Sequence, residues 1–261
     1  MKIKKALVTG GGARLGRAMA LYLGQRGFDV AVHYASSSEG AEACAADITA
    51  MGQQGVPLQA DLLDLDATEA LIDRASEALE GPITCLVNNA SIFEYDRVKS
   101  ATRESWDKHI GSNLRAPFIL TQALAAQVPD PEEDDRGEPL AQGLVVNMID
   151  QKVRKLTPEH MTYTIAKMGL WAFTRTGAQD LAPRVRLNAI GPGPTLQGAR
   201  QPEENFKRQR ETTQLQRGSN PEDICAALGY FLDAPAVTGQ LLCVDGGQHL
   251  NWQTPDEMGV D

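Results

Sequence analysis

The chain has 261 residues, 42% hydrophobic and 23% charged, with a formal net charge of −9. That length suits one α/β unit with both sheet faces covered, and no apolar run nears the roughly 18 residues of a membrane span. The acidic balance argues against nucleic acid as a partner, because phosphate binding needs a concentrated basic surface.

Met1 to Lys5 leads into Ala6-Leu7-Val8-Thr9 with no long apolar core, so no secretory leader is expected and the cytoplasm is the expected location. From there strand-length apolar runs alternate with helix-period segments, the pattern of a doubly wound parallel sheet of the Rossmann type, seven strands in a single domain over 1–261. The strands are expected at 6–9, 30–34, 56–60, 85–88, 144–148, 185–190 and 241–244. The helices are expected at 15–25, 40–51, 67–79, 106–127 (one helix or two), 163–181 and 221–231, the last capped by Asn220 with Pro221 at its first position.

The turn after the first strand reads Thr9-Gly10-Gly11-Gly12-Ala13-Arg14-Leu15-Gly16. Glycines there let a pyrophosphate approach backbone N–H groups at a helix start, so the turn reads as a dinucleotide site. The second strand ends in His33-Tyr34-Ala35-Ser36-Ser37-Ser38, with no carboxylate to hold ribose hydroxyls. Hydroxyls of Ser36 and Ser37, with Arg14 close by, suit a 2′-phosphate, so NADPH is expected over NADH. The third strand is followed by Asp61-Leu62 and the fourth by Asn88-Asn89-Ala90-Ser91-Ile92-Phe93. Acidic residues from Asp130 to Glu138 read as a solvated, mobile loop. Tyr163 and Lys167 are four apart on a helix, which puts phenol and ammonium on one face and eases proton exchange. The stretch 191–216 has no clear element and reads as a substrate lid. Neither Cys44, Cys85, Cys225 and Cys243 nor the four histidines show metal-ligand spacing, so no metal is expected and the thiols read as buried and reduced.

In this order the motifs resemble the short-chain dehydrogenase/reductase family: Thr9 to Gly16, Asp61, Asn88-Asn89-Ala90, Asn113, Tyr163-x-x-x-Lys167, Asn188, Gly191-Pro192-Gly193 and Val244-Asp245-Gly246-Gly247. The resemblance implies that Tyr163 is the proton donor and that Lys167 grips the nicotinamide ribose and favours tyrosine ionisation. Asn113 would help hold a relay water. It further implies a cofactor wall from Gly10, Gly12, Leu15, Gly16, Tyr34, Leu62, Asn89, Ala90, Ser91, Met148, Pro192, Gly193 and Thr195.

Two positions narrow the match. Asp150 stands where most members carry serine, and Arg14 replaces a glycine of the turn. With His33-Tyr34 and Phe93, these resemble the pteridine and dihydromonapterin reductases. In that subgroup a pterin would lie between the nicotinamide and Phe93, bonded by Arg14 and Ser91, with Asp150 and Tyr163 supplying the proton. A ketone reductase is the alternative. A silent NADPH-binding sensor is disfavoured by the intact Tyr163/Lys167 pair. The resemblance also implies a homotetramer, with 106–127 and 163–181 at a helical interface; Leu170, Trp171 and Phe173 would either serve that interface or pack in the core.

Overall fold

The computed structural model describes residues 3–198 and 201–252. Seven parallel strands form the central sheet: β1 (Lys5–Val8), β2 (Asp29–Tyr34), β3 (Gly55–Gln59), β4 (Cys85–Asn88), β7 (Gly143–Met148), β8 (Val185–Pro192) and β9 (Leu241–Val244), in the order β3-β2-β1-β4-β7-β8-β9. The helices are α1 (Arg14–Gln25), α2 (Ser38–Ala50), α3 (Leu65–Glu69), α4 (Leu71–Ala78), α5 (Arg103–Ile110), α6 (Ala116–Gln127), α7 (Met161–Leu181), α8 (Glu203–Glu211) and α9 (Pro221–Asp233).

Strand residues alternate between two buried layers. Ala6, Val8, Val30, Val32, Val87 and Val146 face Met19, Leu23, Ile48, Leu228 and Phe231 of α1, α2 and α9. Leu7, Ala31, Leu86, Val145 and Leu187 face Leu71, Ile72, Leu120 and Leu124 on the other side. Burial on both faces explains why the strands read as continuous apolar runs. The order reverses beside β1, whose neighbours are β2 on one side and β4 on the other. The strand ends at that reversal form a crevice where α/β sheets bind ligands.

The structure corrects several expectations. The helix expected over 67–79 is two pieces that meet at Ala70. The segment expected over 106–127 begins at Arg103, under a capping box of Thr102 and Ser105, and is interrupted by a π turn, Gly111–Arg115. Within the stretch read as a lid without an element, α8 forms; its sequence, EENFKRQRE, has no buried residue and so shows no apolar stripe. Residues 199 and 200 of that stretch lie outside the described residues. The acidic loop is a short hairpin, β5 (Glu132–Glu133) against β6 (Pro139–Leu140), whose turn is held by Asp134 Oδ1 accepting from Arg136 and Glu138 N–H at 2.8 and 2.9 Å. At the start of α9, Asp223 accepts from Asn220 N–H at 2.8 Å, while Asn220 Oδ1 accepts from Arg210. Cys44, Cys85 and Cys225 are buried and unbonded, and Cys243 is partly exposed.

Candidate active site

The glycine turn is braced from beneath. Gly10 has φ of +62°, open to glycine without strain. Its N–H donates to His33 Nδ1 at 3.0 Å, so the ring hydrogen sits on Nε2, 3.0 Å from the Ala60 carbonyl it reaches. Burial holds the His33 pKa down to about 4, which keeps the ring neutral. From the other side Asn89 Nδ2 donates to Thr9 O at 2.9 Å, and the N–H groups of Asn89 and Ala90 donate to Thr9 Oγ1. A Cβ on Gly16 would lie 2.0 Å from Gly10 O, so α1 seats tightly only with glycine there.

Two helix starts converge on this turn. Ala13 offers α1 no side-chain cap, and its first turn holds no acid. Ser37 precedes α2 without a cap bond, and Ser36 and Ser37 are exposed. A Cβ on Gly12 would lie 2.7 Å from Ala41 N, so turn and α2 are in direct contact. Uncapped N–H groups and free hydroxyls are the donor set that a dinucleotide with a 2′-phosphate requires. Of the expected cofactor positions, Gly10, Gly12 and Gly16 lie in the turn and Ser36 and Ser37 are exposed beside it, Leu15 packs on the core, and the His33 and Asn89 side chains turn inward as braces. Tyr34 packs on the core, and Asp61 accepts from Leu63 N–H at 2.9 Å.

Arg14 departs from its expected place. Its φ is +50°, and its guanidinium donates to the carbonyls of Gln197 and Leu196 at 3.0 and 3.1 Å. It bridges the crevice towards the segment after β8; it is not committed to Ser36 and Ser37. On that far wall Gly193 N–H donates to Val244 O at 3.0 Å, beside Pro192. Thr195 is turned inward onto Ser219.

Tyr163 and Lys167 lie one turn apart on α7, and both are buried. The Tyr163 hydroxyl donates to Asp150 Oδ2 at 3.0 Å, while Asp150 Oδ1 accepts from Lys152 N–H at 2.8 Å, which caps the turn Gln151–Val153. Lys167 Nζ donates to Met148 O at 2.8 Å and lies 5.6 Å from the Tyr163 ring centroid. Burial, then the Asp150 charge, drives the tyrosine pKa well above its ordinary value. Burial also raises Asp150 and lowers Lys167 to about 8. Burial and the Asp150 charge thus work against the eased ionisation expected of Tyr163. Asn113, in the π turn, spends its side chain on Ile92, accepting from the N–H at 2.9 Å and donating to the O at 2.8 Å. Phe93, 55% exposed, stacks on His160 at 4.1 Å and meets Tyr163 edge-on at 4.7 Å. Ser91 is exposed beside it. Asp96, His109 and His160 behind this wall were not expected; their partners lie far off in sequence, beyond the reach of local spacing.

A family model described as short chain dehydrogenase matches residues 4–208. The chain belongs to the short-chain dehydrogenase family. This dehydrogenase is 41% identical to a solved structure of FolM alternative dihydrofolate reductase 1 from Brucella canis complexed with NADP, at TM-score 0.88 and 98% coverage of both chains. The Brucella suis counterpart, also with NADP, matches at 42% identity and TM-score 0.89, covering 97% of this chain and 98% of that one. The chain is also 32% identical, over 93% of its length and 95% of the relative's, to a 3-oxoacyl-[acyl-carrier-protein] reductase from Synechocystis. Membership makes it an oxidoreductase, and among the described residues no helix is long and apolar enough to cross a membrane.

Proposed function

We propose that the protein is an NADPH-dependent reductase of dihydropterins. The observation that carries this reading is the 3.0 Å bond from the Tyr163 hydroxyl to Asp150. Bound NADPH supplies a hydride. A carbon–nitrogen double bond of a dihydropterin takes that hydride on carbon and needs a proton on nitrogen, and Tyr163 stands as the acid. Asp150 keeps the phenol protonated and lies in position to exchange a proton with it, a task beyond orienting a carbonyl. Lys167, anchored on Met148 O, places a positive charge under the ring. Two NADP-bound FolM neighbours, described as alternative dihydrofolate reductases, support both the cofactor and the substrate class. Phe93 offers a planar ring one side of which His160 already covers, so a pterin would use the remaining face and edge.

The 3-oxoacyl reductase relatives favour a second reading, reduction of a carbonyl. Steady-state NADPH oxidation with dihydrobiopterin, dihydrofolate and dihydromonapterin, against ketones and 3-oxoacyl thioesters, separates the two. Pterin turnover is expected, lowered about 100-fold or more in Tyr163→Phe. Asp150→Ser should lose pterin turnover. Oxoacyl turnover without pterin turnover would return the protein to the carbonyl reductases.

A further inference from the structure

Behind the Phe93 wall, a buried polar cluster fastens the loop after β4 to the start of α7. Asp96 is 2% exposed. Its Oδ1 accepts from Thr162 N–H at 3.1 Å, its Oδ2 accepts from the hydroxyls of Ser105, at 3.1 Å, and Thr162, and its main-chain carbonyl accepts from Met161 N–H at 3.3 Å. Helix α7 has need of these acceptors. Its N-cap, His160, is left-handed at φ of +55° and supplies no side-chain cap, so the first N–H groups must find partners elsewhere. A carboxylate there also meets the positive end of the helix dipole.

The directions of the bonds from Glu94 through His109 and Thr162 to Asp96 are fixed. Glu94 N–H can only donate, and it donates to His109 Nε2 at 3.1 Å, so the imidazole hydrogen is on Nδ1. That hydrogen goes to Thr162 Oγ1, 2.6 Å away, which leaves the threonine hydrogen for Asp96. On the same loop His160 Nδ1 donates to Glu94 O at 3.1 Å while its ring stacks on Phe93. Loop and helix are thus joined at Glu94, at Asp96 and at the Phe93 ring, and Thr162 is the residue directly before Tyr163.

We propose that Asp96, acting through Thr162 and His109, is a positioning residue that fixes Phe93 against Tyr163, so that the substrate wall and the proton donor move as one body. This assignment rests on the proposed function's placing of Phe93 as the substrate wall; wild-type turnover of dihydropterins tests that reading, and the Thr162 variants test this one. Removing the Thr162 hydroxyl breaks both halves of the relay at once, since Asp96 loses a donor and His109 an acceptor, while valine keeps the shape. The wall then loosens without any change to the glycine turn or to Lys167.

The test uses whichever of the dihydropterins or 3-oxoacyl thioesters the wild type turns over fastest, and measures kcat, KM and, by fluorescence titration, NADPH Kd. Thr162→Val should raise substrate KM about tenfold and leave NADPH Kd within about twofold, and Thr162→Ser should restore KM. In a Phe93→Ala background, Thr162→Val should add little, because the ring it positions is gone. Asp96→Asn, which keeps the size and one acceptor, gives a second path to the same measurement should Thr162→Val fold poorly. Independent, additive effects of Phe93→Ala and Thr162→Val would overturn the proposal. So would a KM unchanged in both Thr162→Val and Asp96→Asn, or a parallel loss of NADPH affinity.

Discussion

Tyr163 and Lys167 are withdrawn from water together, and the burial acts on them in opposite senses. For a phenol the neutral acid is favoured; for an ammonium the neutral base is favoured. The tyrosine therefore stays protonated across the working range, and Lys167, lowered to about 8 from an ordinary value of about 10.4, is the group that titrates near it. Below pH 8 the ammonium is present; as pH rises through 8 it is lost. A fall in kcat/KM for reduction above about pH 8 is expected, moved upward in Lys167→Arg because guanidinium stays charged. A profile flat to pH 9.5 in the wild type would contradict this assignment. At this scale the sequence puts Tyr163 and Lys167 on one helix, where the structure has them, because a spacing of four is local information. It was a poor guide to Arg14, since a positive φ at a residue other than glycine redirects the side chain towards Leu196 and Gln197. The Asp96–Thr162 bonds were out of reach, as they join residues 66 apart.

Two helix starts without side-chain caps flank the glycine turn, and they are elements the sequence marks clearly. The glycine turn, α1 and α2 stand where apolar periodicity and the strand-to-helix order put them, and all seven sheet strands were legible because both of their faces are buried. What escaped was structure without an apolar signature: the polar helix α8, the π turn within 111–115, and the hairpin built by Asp134. The α2 start gives cofactor preference a direct test. Ser37, exposed and without a cap bond, stands at a helix N-terminus that favours a phosphate. Ser37→Asp would satisfy the helix with a carboxylate of its own and repel a 2′-phosphate at close range, while leaving a free ribose hydroxyl an acceptor. The ratio of NADH to NADPH dissociation constants should fall about tenfold or more, and an unchanged ratio would remove α2 from the cofactor site.

Among the exposed apolar side chains of the described residues, two groups lie on unlike faces away from the Phe93 wall. Trp106 of α5, Phe118 of α6, and Ile165 and Met168 of α7 point outward, each between 37% and 44% exposed. Of the residues first expected to serve an interface, Leu170 is instead fully buried in a cluster with Ile149, Val153 and Ala189. Trp171 is flanked by Arg154 and Arg175, and Phe173 packs on Phe118. The second face lies at the end of the sheet, where β9 is an edge strand, Leu242 is 38% exposed and Tyr230 of α9 is 53% exposed. An open strand edge beside exposed apolar side chains is a surface that proteins cover. If each face pairs with its own copy about a twofold axis, the chains close into a tetramer with three perpendicular twofold axes, whereas one such face alone gives a dimer. Light scattering at micromolar concentration should therefore return four chains. Phe118→Glu should split the tetramer into dimers held by the β9 edge, and Leu242→Glu into dimers held by α5 to α7, each by burying a charge in an apolar contact. With a net charge of −9 on every chain, low salt should favour the smaller species in both variants. A wild type that remains a monomer at that concentration would leave both faces for other partners and refute the assembly.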